Sequence, residues 1–109
     1  MNMTMEVKEN DRFIHVYVNG EIDVYTAPKL KEVLFPLSER SEVKMIVDLT
    51  NVTYMDSTGL GVIVGAFKSV RKVNGQFQLT GLSQRLKKLF TITGLADIMD
   101  INSMVEGEA

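Results

Sequence analysis

Apolar and polar positions along the chain begin with the period of strands and then alternate between helical and strand periods. Alternating residues 4–8 and 12–19 flank a polar turn at residues 9–11, which predicts an N-terminal hairpin. Residues 43–49 are mostly apolar and bounded by polar residues, as is typical of a strand buried on both faces of a sheet. Residues 76–80 fit a further strand. The pattern therefore predicts a sheet that starts with a hairpin.

Helical spacing of apolar residues predicts three helices. Thr26 can cap the first helix, and Pro28 lies in its first turn, where proline's missing amide donor matters little. Pro36 should kink this helix or end it before Arg40, because a proline inside a helix removes a hydrogen bond and crowds the preceding turn. The second predicted helix spans residues 57–73.

A βαβ unit is predicted from strand 43–49, helix 57–73 and strand 76–80, whose strands should be parallel and whose crossover should be right-handed. Residues 74–75 supply the tight exit from its helix. The third helix should begin after Ser83 as its cap and end at Gly94. Residues 96–101 fit a short helix, a last strand or both, and the polar tail 102–109 is expected to fray.

Composition narrows the class of protein. The 109 residues are enough for one domain, residues 1–109, with a single core. A net charge of −2 argues against nucleic acid as a partner, and the lack of cysteine rules out disulfides and thiolate metal sites. Charged residues near the start leave no apolar core of the kind a signal peptide needs. No apolar run approaches the ~20 residues of a membrane-spanning helix. We therefore expect a cytoplasmic protein with no membrane partner.

Ser57 lies where the apolar run of the third strand gives way to a helical pattern, as the N-cap or the residue beside it. The first amides of a helix lack internal partners and carry partial positive charge, so a phosphate on Ser57 would meet hydrogen-bond donors. The alternative is that Ser57 merely caps the helix, which contributes about 1 kcal/mol. The local pattern by itself favours the cap.

Two motifs go beyond this general α/β pattern. They occupy residues 20–28 (GEIDVYTAP) and 54–61 (YMDSTGLG), and residues 89–95 (LFTITGL) extend the match. Together they resemble the STAS domains of bacterial anti-sigma-factor antagonists over nearly the whole chain. The resemblance implies an α/β fold: a single STAS domain whose mixed sheet has an N-terminal hairpin and a βαβ crossover, with helices packed mainly on one face.

The resemblance also implies a protein–protein switch. The unphosphorylated antagonist binds an anti-sigma factor that is also a serine kinase, RsbW-like, and so frees the sigma factor. Phosphorylation of Ser57 turns the antagonist off, and a PP2C-type phosphatase, RsbU- or RsbP-like, restores it. The implied output is sigma-B-type stress transcription. The alternative is an antagonist of another kinase and sigma factor, such as a sporulation system.

The residues expected to bind the partner surround the serine: Asp23, Asp56, Ser57, Thr58, Gly59 and Gly61. Asp23 belongs to the loop before the first helix, which in STAS folds lies close to the phosphoacceptor, although a simple turn-forming role is equally favoured. Gly61 and Gly65 share a helix face, which indicates either a shallow surface for a partner or tight helix-on-sheet packing. Thr58 is the neighbouring hydroxyl and not the preferred acceptor.

An enzyme is the competing class, because Asp56 and Ser57 supply a carboxylate and a hydroxyl. The chain has neither a G-x-S-x-G elbow nor a P-loop, and its single histidine, His15, lies in a distant predicted strand, where a structural role is favoured. We therefore expect a binding protein with no catalytic residues, cofactor or metal site.

Overall fold

The computed structural model describes residues 2–102. Three helices and five strands, with one short 3-10 helix, make up this part of the chain. In chain order they are β1 (Met3–Asn10), β2 (Phe13–Ile22), α1 (Ala27–Ser38), β3 (Lys44–Met55), α2 (Ser57–Lys72), β4 (Gln76–Thr80), α3 (Gln84–Ile92), the 3-10 helix (Leu95–Asp97) and β5 (Asp100–Asn102).

The five strands form one mixed sheet in the order β1-β2-β3-β4-β5. β1 and β2 are antiparallel, and every later neighbour is parallel. The predicted hairpin is therefore confirmed, but its turn falls at Asp11 and Arg12 because Asn10 still pairs with Phe13. Asp11 adopts a left-handed backbone conformation with φ 63°, which aspartate tolerates better than most residues.

The core lies on one face of the sheet. Because β2 to β5 follow one another in the same direction across the sheet, right-handed crossovers place α1, α2 and α3 on the same side. The prediction of helices mainly on one face is confirmed. The strand residues beneath the helices are buried: Ile14, Val16, Val18, Met45, Val47, Leu49, Phe77 and Leu79.

The prediction that the third strand is buried on both faces is wrong. Ile46 and Asp48 point to the face without helices and are only half-buried, while Met45 and Val47 on the other face are about 99–100% buried. All three helices between residues 2 and 102 lie on one side, so no helix of this range covers the second face. The apolar run in β3 therefore alternates in burial, as in a sheet with one solvated face.

β3 is also longer than the predicted 43–49, since it continues to Met55. Beyond Asp48 it pairs only with β2, through two register shifts, and its last pair joins Met55 to Ile22. The Asp48 carboxylate accepts the Thr50 amide at 2.9 Å, and this hydrogen bond stabilises the backbone at the first register shift. β2 and β3 therefore project past the end of β4.

α1 differs from its prediction in detail. Thr26 occupies the N-cap position, but its side chain makes no cap hydrogen bond. Its hydroxyl instead donates to the Glu21 carbonyl at 2.8 Å and accepts the Asp23 amide at 2.9 Å, which ties the end of β2 to the start of the helix. The helix runs past Pro36 and ends at Ser38, short of Arg40.

α2 matches the predicted second helix to within one residue and, at 16 residues, is the longest helix between residues 2 and 102. No helix in that range is long and apolar enough to cross a membrane. After α2 the chain turns at Asn74, which has a left-handed backbone with φ 60°. The next residue has to be glycine, because a Cβ at position 75 would overlap the Val43 carbonyl oxygen.

The C-terminal segment contains both of the predicted alternatives, a short helix and a strand. Ser83 caps α3 by accepting a backbone amide, and Gly94 follows the helix with φ 80°. β5 extends to Asn102, so the predicted fraying is wrong at this residue, which pairs with Thr80. Residues 103–109 of the predicted tail lie outside the described residues.

Candidate functional site

The site predicted around Ser57 lies at the carboxyl ends of β2 and β3. Ile22 and Met55 are the last paired residues of these strands. The Asp56 amide then donates to the Ile22 carbonyl at 3.1 Å. The loop that enters α1 and the junction that enters α2 are therefore adjacent, at the tip where both strands extend past β4.

Asp56, and not Ser57, caps α2. Its backbone is extended, and its Oδ1 accepts the Thr58 and Gly59 amides, each at 3.0 Å. The Asp56 carbonyl then accepts the Leu60 amide at 2.9 Å, the first hydrogen bond of the helix. The interpretation that Ser57 merely caps the helix is therefore wrong, and Ser57 is the first helical residue.

Ser57 has an exposed side chain, and its hydroxyl makes no hydrogen bond to any residue between 2 and 102. Thr58 is exposed as well. About 23 Å of strand separates His15 from Ile22, so the histidine is too far away to act as a base for Ser57. The hydroxyl is therefore open to modification by a second protein, and the chain's single histidine lies too far away to activate it.

His15 lies on the helix-free face of the sheet. Its ring stacks on Tyr17 with centroids 4.1 Å apart, and its Nδ1 lies 3.2 Å from the Tyr17 hydroxyl. Its Nε2 lies 3.9 Å from the Asp48 carboxylate. These contacts agree with the structural role favoured for this histidine. Across residues 2–102 no group of three His, Cys, Asp or Glu side chains could hold a metal ion.

The glycines of α2 have different surroundings. Gly59 is buried, and a Cβ there would lie 2.5 Å from Ile22 Cγ2 and 3.0 Å from the Ile22 carbonyl oxygen. A Cβ at Gly65 would lie 2.7 Å from the Phe35 ring of α1, whereas one at Gly61 would meet nothing within 4 Å. Gly59 and Gly65 therefore permit close packing inside the molecule, and Gly61 leaves an open surface.

Asp23 forms the turn between β2 and α1. Its Oδ1 accepts the Tyr25 amide at 2.9 Å and the Thr26 amide at 3.1 Å. Desolvation raises the pKa of this carboxyl, but the hydrogen bonds from Thr26 and Tyr25 outweigh it and hold the pKa below its ordinary value. No hydrogen bond joins the Asp23 carboxylate to residues 56–58, so its observed contacts are those of a turn-forming aspartate.

Three exposed apolar side chains lie at this end of the sheet, and the sequence pattern did not predict them. Tyr25 is 80% exposed, Val24 55% and Tyr54 46%. Val24 and Tyr25 follow Asp23 in the turn after β2, and Tyr54 pairs with Glu21 near the end of β3. We call these three residues the apical apolar surface. The available signal was that Val24 and Tyr25 are two adjacent apolar residues directly before the predicted cap Thr26 of the first helix.

The family follows from comparison with known proteins, where the profile of the STAS domain matches residues 4–107. The chain belongs to the STAS-domain family. The anti-sigma-B factor antagonist of Listeria monocytogenes is 54% identical over 109 residues, covering 99% of this chain and 95% of that protein. The protein of the same name from Bacillus subtilis is 52% identical over 107 residues, covering 98% and 97%. The resemblance seen in the sequence motifs is thus confirmed, with anti-sigma-B factor antagonists (RsbV) among the relatives.

Solved structures share the fold of this STAS domain. An anti-sigma factor antagonist from Mycobacterium paratuberculosis superposes with a TM-score of 0.84 at 25% identity, over 96% of this chain and 89% of that one. The antagonist SpoIIAA in its unphosphorylated form gives a TM-score of 0.74 at 18% identity, over 92% and 88%. This second likeness concerns the fold alone.

Proposed function

We propose that this STAS domain is a cytoplasmic anti-sigma-factor antagonist controlled by phosphorylation of Ser57. The unphosphorylated form binds an RsbW-like anti-sigma factor that is also a serine kinase, and binding releases the sigma factor. The kinase phosphorylates Ser57 and so ends binding, and a PP2C-type phosphatase, RsbU- or RsbP-like, reverses the modification. The protein is a binding module without catalytic activity of its own, and its output is sigma-B-type stress transcription.

The observation that supports this proposal most directly is the accessibility of the Ser57 hydroxyl. It is exposed, free of hydrogen bonds among the described residues, and located at the start of a helix beside Asp56. A kinase needs an accessible hydroxyl, and here access requires no unfolding. The Thr58 hydroxyl is exposed too, so the choice of Ser57 rests on its position in the motif 54–61, and Thr58 serves as the matched control.

The proposed partner surface joins the polar residues around Ser57 to the apical apolar surface. Of the predicted contact residues, Asp23, Asp56, Ser57, Thr58 and Gly61 are exposed or half-buried, while buried Gly59 acts by packing the junction against Ile22. Exposed tyrosines with few competing contacts are typical anchors of protein interfaces. Tyr25 and Tyr54 supply such anchors beside the phosphorylated residue.

Phosphorylation would act on this surface through charge and desolvation. A phosphoserine adds about −1.5 to −2 charge and three acceptor oxygens next to the Asp56 carboxylate. A thousandfold loss of affinity requires about 4 kcal/mol, which one desolvated or mispaired phosphate can supply. The proposal therefore needs no refolding, and large backbone differences between the two forms in solution would contradict it.

The test is intact-mass and fragment-ion analysis after incubation with the anti-sigma kinase and ATP. We expect one phosphate on Ser57 in the wild type and in Thr58→Ala, and none in Ser57→Ala. An active kinase that leaves the wild type unmodified, or a phosphate found on Thr58, would refute the assignment of Ser57.

The sigma-B assignment is supported by the 54% identity to an anti-sigma-B factor antagonist. The alternative, a different kinase and sigma factor such as a sporulation system, keeps the same serine chemistry. A pull-down with candidate kinases separates the two, because the cognate kinase should retain the antagonist in ADP and lose it after ATP turnover. Retention by a sporulation kinase alone would favour the alternative.

A further inference from the structure

The hydrogen-bond donors at the start of α2 are largely in use. The first four amides of a helix, counted from its cap residue, have no partner within it. Here the Thr58 and Gly59 amides both donate to Asp56 Oδ1, at 3.0 Å each, and the Asp56 amide donates to the Ile22 carbonyl. Of the first three helical amides, that of Ser57 alone makes no hydrogen bond to residues 2–102.

Anions usually bind at helix starts because free amides and the helix dipole favour negative charge. A phosphate on Ser57 would meet a start that already holds a carboxylate. To bind the Thr58 and Gly59 amides, the phosphate would have to displace the Asp56 carboxylate. Asp56 already accepts both amides as the N-cap of the helix.

We propose that Asp56 keeps the Thr58 and Gly59 amides in both states of Ser57, so that a phosphate on Ser57 remains in solvent beside a carboxylate. This inference rests on the proposed phosphorylation of Ser57 and adds a role for Asp56. Asp56 is a positioning residue: by withholding the Thr58 and Gly59 amides it limits how far the helix can neutralise the phosphate, and so preserves the strength of the off signal.

Contacts with β2 hold the backbone in one position at the junction between β3 and α2. Gly59 packs against the buried side chain of Ile22, and the Asp56 amide is bonded to the carbonyl of the same residue. Phosphorylation therefore adds a dianion next to the Asp56 carboxylate without moving the backbone. A partner that covers the apical apolar surface has to approach both negative groups.

The test uses protein with phosphoserine incorporated at position 57 during translation, so that no kinase is needed. The second pKa of the phosphate is measured by ³¹P NMR, and the Thr58 and Gly59 amide protons are followed in the same pH titration. We expect this pKa to lie above that of phosphoserine in an unstructured peptide. We also expect the two amide protons to lack the large downfield movement of phosphate-bonded amides.

Asp56→Asn removes the charge while keeping a good N-cap, because asparagine caps helices as well as aspartate does. We expect the pKa of the phosphate to fall by roughly 0.5 unit in this variant, the effect of one charge about 6 Å away at an exposed surface. Asp11→Asn is the matched control: it removes the same charge from the hairpin turn at the opposite end of β2, and asparagine tolerates the left-handed conformation found there. It should leave the phosphate pKa unchanged.

Two results would overturn the inference. One is a phosphate pKa below the peptide value, with downfield movement of the Thr58 and Gly59 amide protons as the phosphate ionises, which would mean that the phosphate has displaced Asp56. The other is an unchanged phosphate pKa in Asp56→Asn, with circular dichroism reporting an intact fold. Failure of the proposed function is distinguishable from both, because it appears as an active kinase that leaves Ser57 unmodified.

Discussion

Gly59 and Gly61 form a matched pair for testing how α2 is packed. An alanine Cβ at position 59 would lie 2.5 Å from Ile22 Cγ2, whereas one at position 61 would meet nothing within 4 Å. Ile22 is fully buried, and its β-branched side chain has little rotamer freedom with which to move aside. The same substitution, two residues apart in one helix, should therefore have opposite effects.

The magnitudes follow from two contributions to the free energy of unfolding. Replacing glycine by alanine in a helix contributes roughly 0.5–1 kcal/mol, so Gly61→Ala should stabilise the protein by that amount. At position 59 the overlap with Ile22 costs about 1–3 kcal/mol, as in other overpacked cores. Gly59→Ala should therefore be destabilised by about 1 kcal/mol, and the two variants should differ by about 2 kcal/mol.

Urea denaturation followed by far-UV circular dichroism measures this difference. The slope of free energy against urea should be unchanged, because neither substitution alters the surface exposed on unfolding. In thermal unfolding the gap should be roughly 10 °C for a domain of this size. Equal stability of the two variants, or a stabilised Gly59→Ala, would refute the reasoning that Gly59 is required for close packing on Ile22.

Three further predictions concern the neighbouring residues. Asp56→Ala should lower the free energy of unfolding by about 1 kcal/mol, because two helix amides lose their acceptor, while Asp56→Asn should stay within a few tenths in the same thermal melts. Tyr25→Ala and Gly61→Leu should weaken binding to the anti-sigma kinase in calorimetry while leaving stability within about 1 kcal/mol; undiminished affinity in both would remove this face from the proposed interface. The Asp23 carboxyl has a lowered pKa in the folded state, so its stabilisation is present above about pH 4 and is lost as pH falls through the folded value. As pH is lowered, the free energy of unfolding of Asp23→Asn should fall less than that of the wild type. Identical pH dependence in the two proteins would contradict this role.

Much of the secondary structure could be predicted because its signals are local. β4 was predicted with its observed bounds, and α2 differs by one residue. Ser83 is at the predicted cap, and the left-handed Gly94 follows α3 as expected. Apolar periodicity, capping side chains and left-handed glycines each act within a few residues of chain, so they can be read without knowing the fold.

The errors concern burial and pairing, which depend on distant residues. The length of β3 was underestimated because residues 50–55 are held by pairing with the end of β2 and not by an apolar run of their own. Burial of β3 on both faces was expected from its apolar composition, but the positions of the helices leave one face open. The local signal for the open face was the pair of charged residues Lys44 and Asp48, which alternate with apolar residues that are all buried.

The sequence by itself determined the order of elements, the family and the presence of a hydroxyl pair where a strand meets a helix. Only the tertiary structure decided that Asp56 is the cap, because aspartate and serine cap helices about equally well and the Asp56 amide is bonded to Ile22 of another strand. It likewise decided that Gly59 is buried and Gly61 open, and that Val24, Tyr25 and Tyr54 face solvent at one end of the sheet. Each of these outcomes depends on contacts between segments far apart in the chain, which the local pattern of residues does not encode.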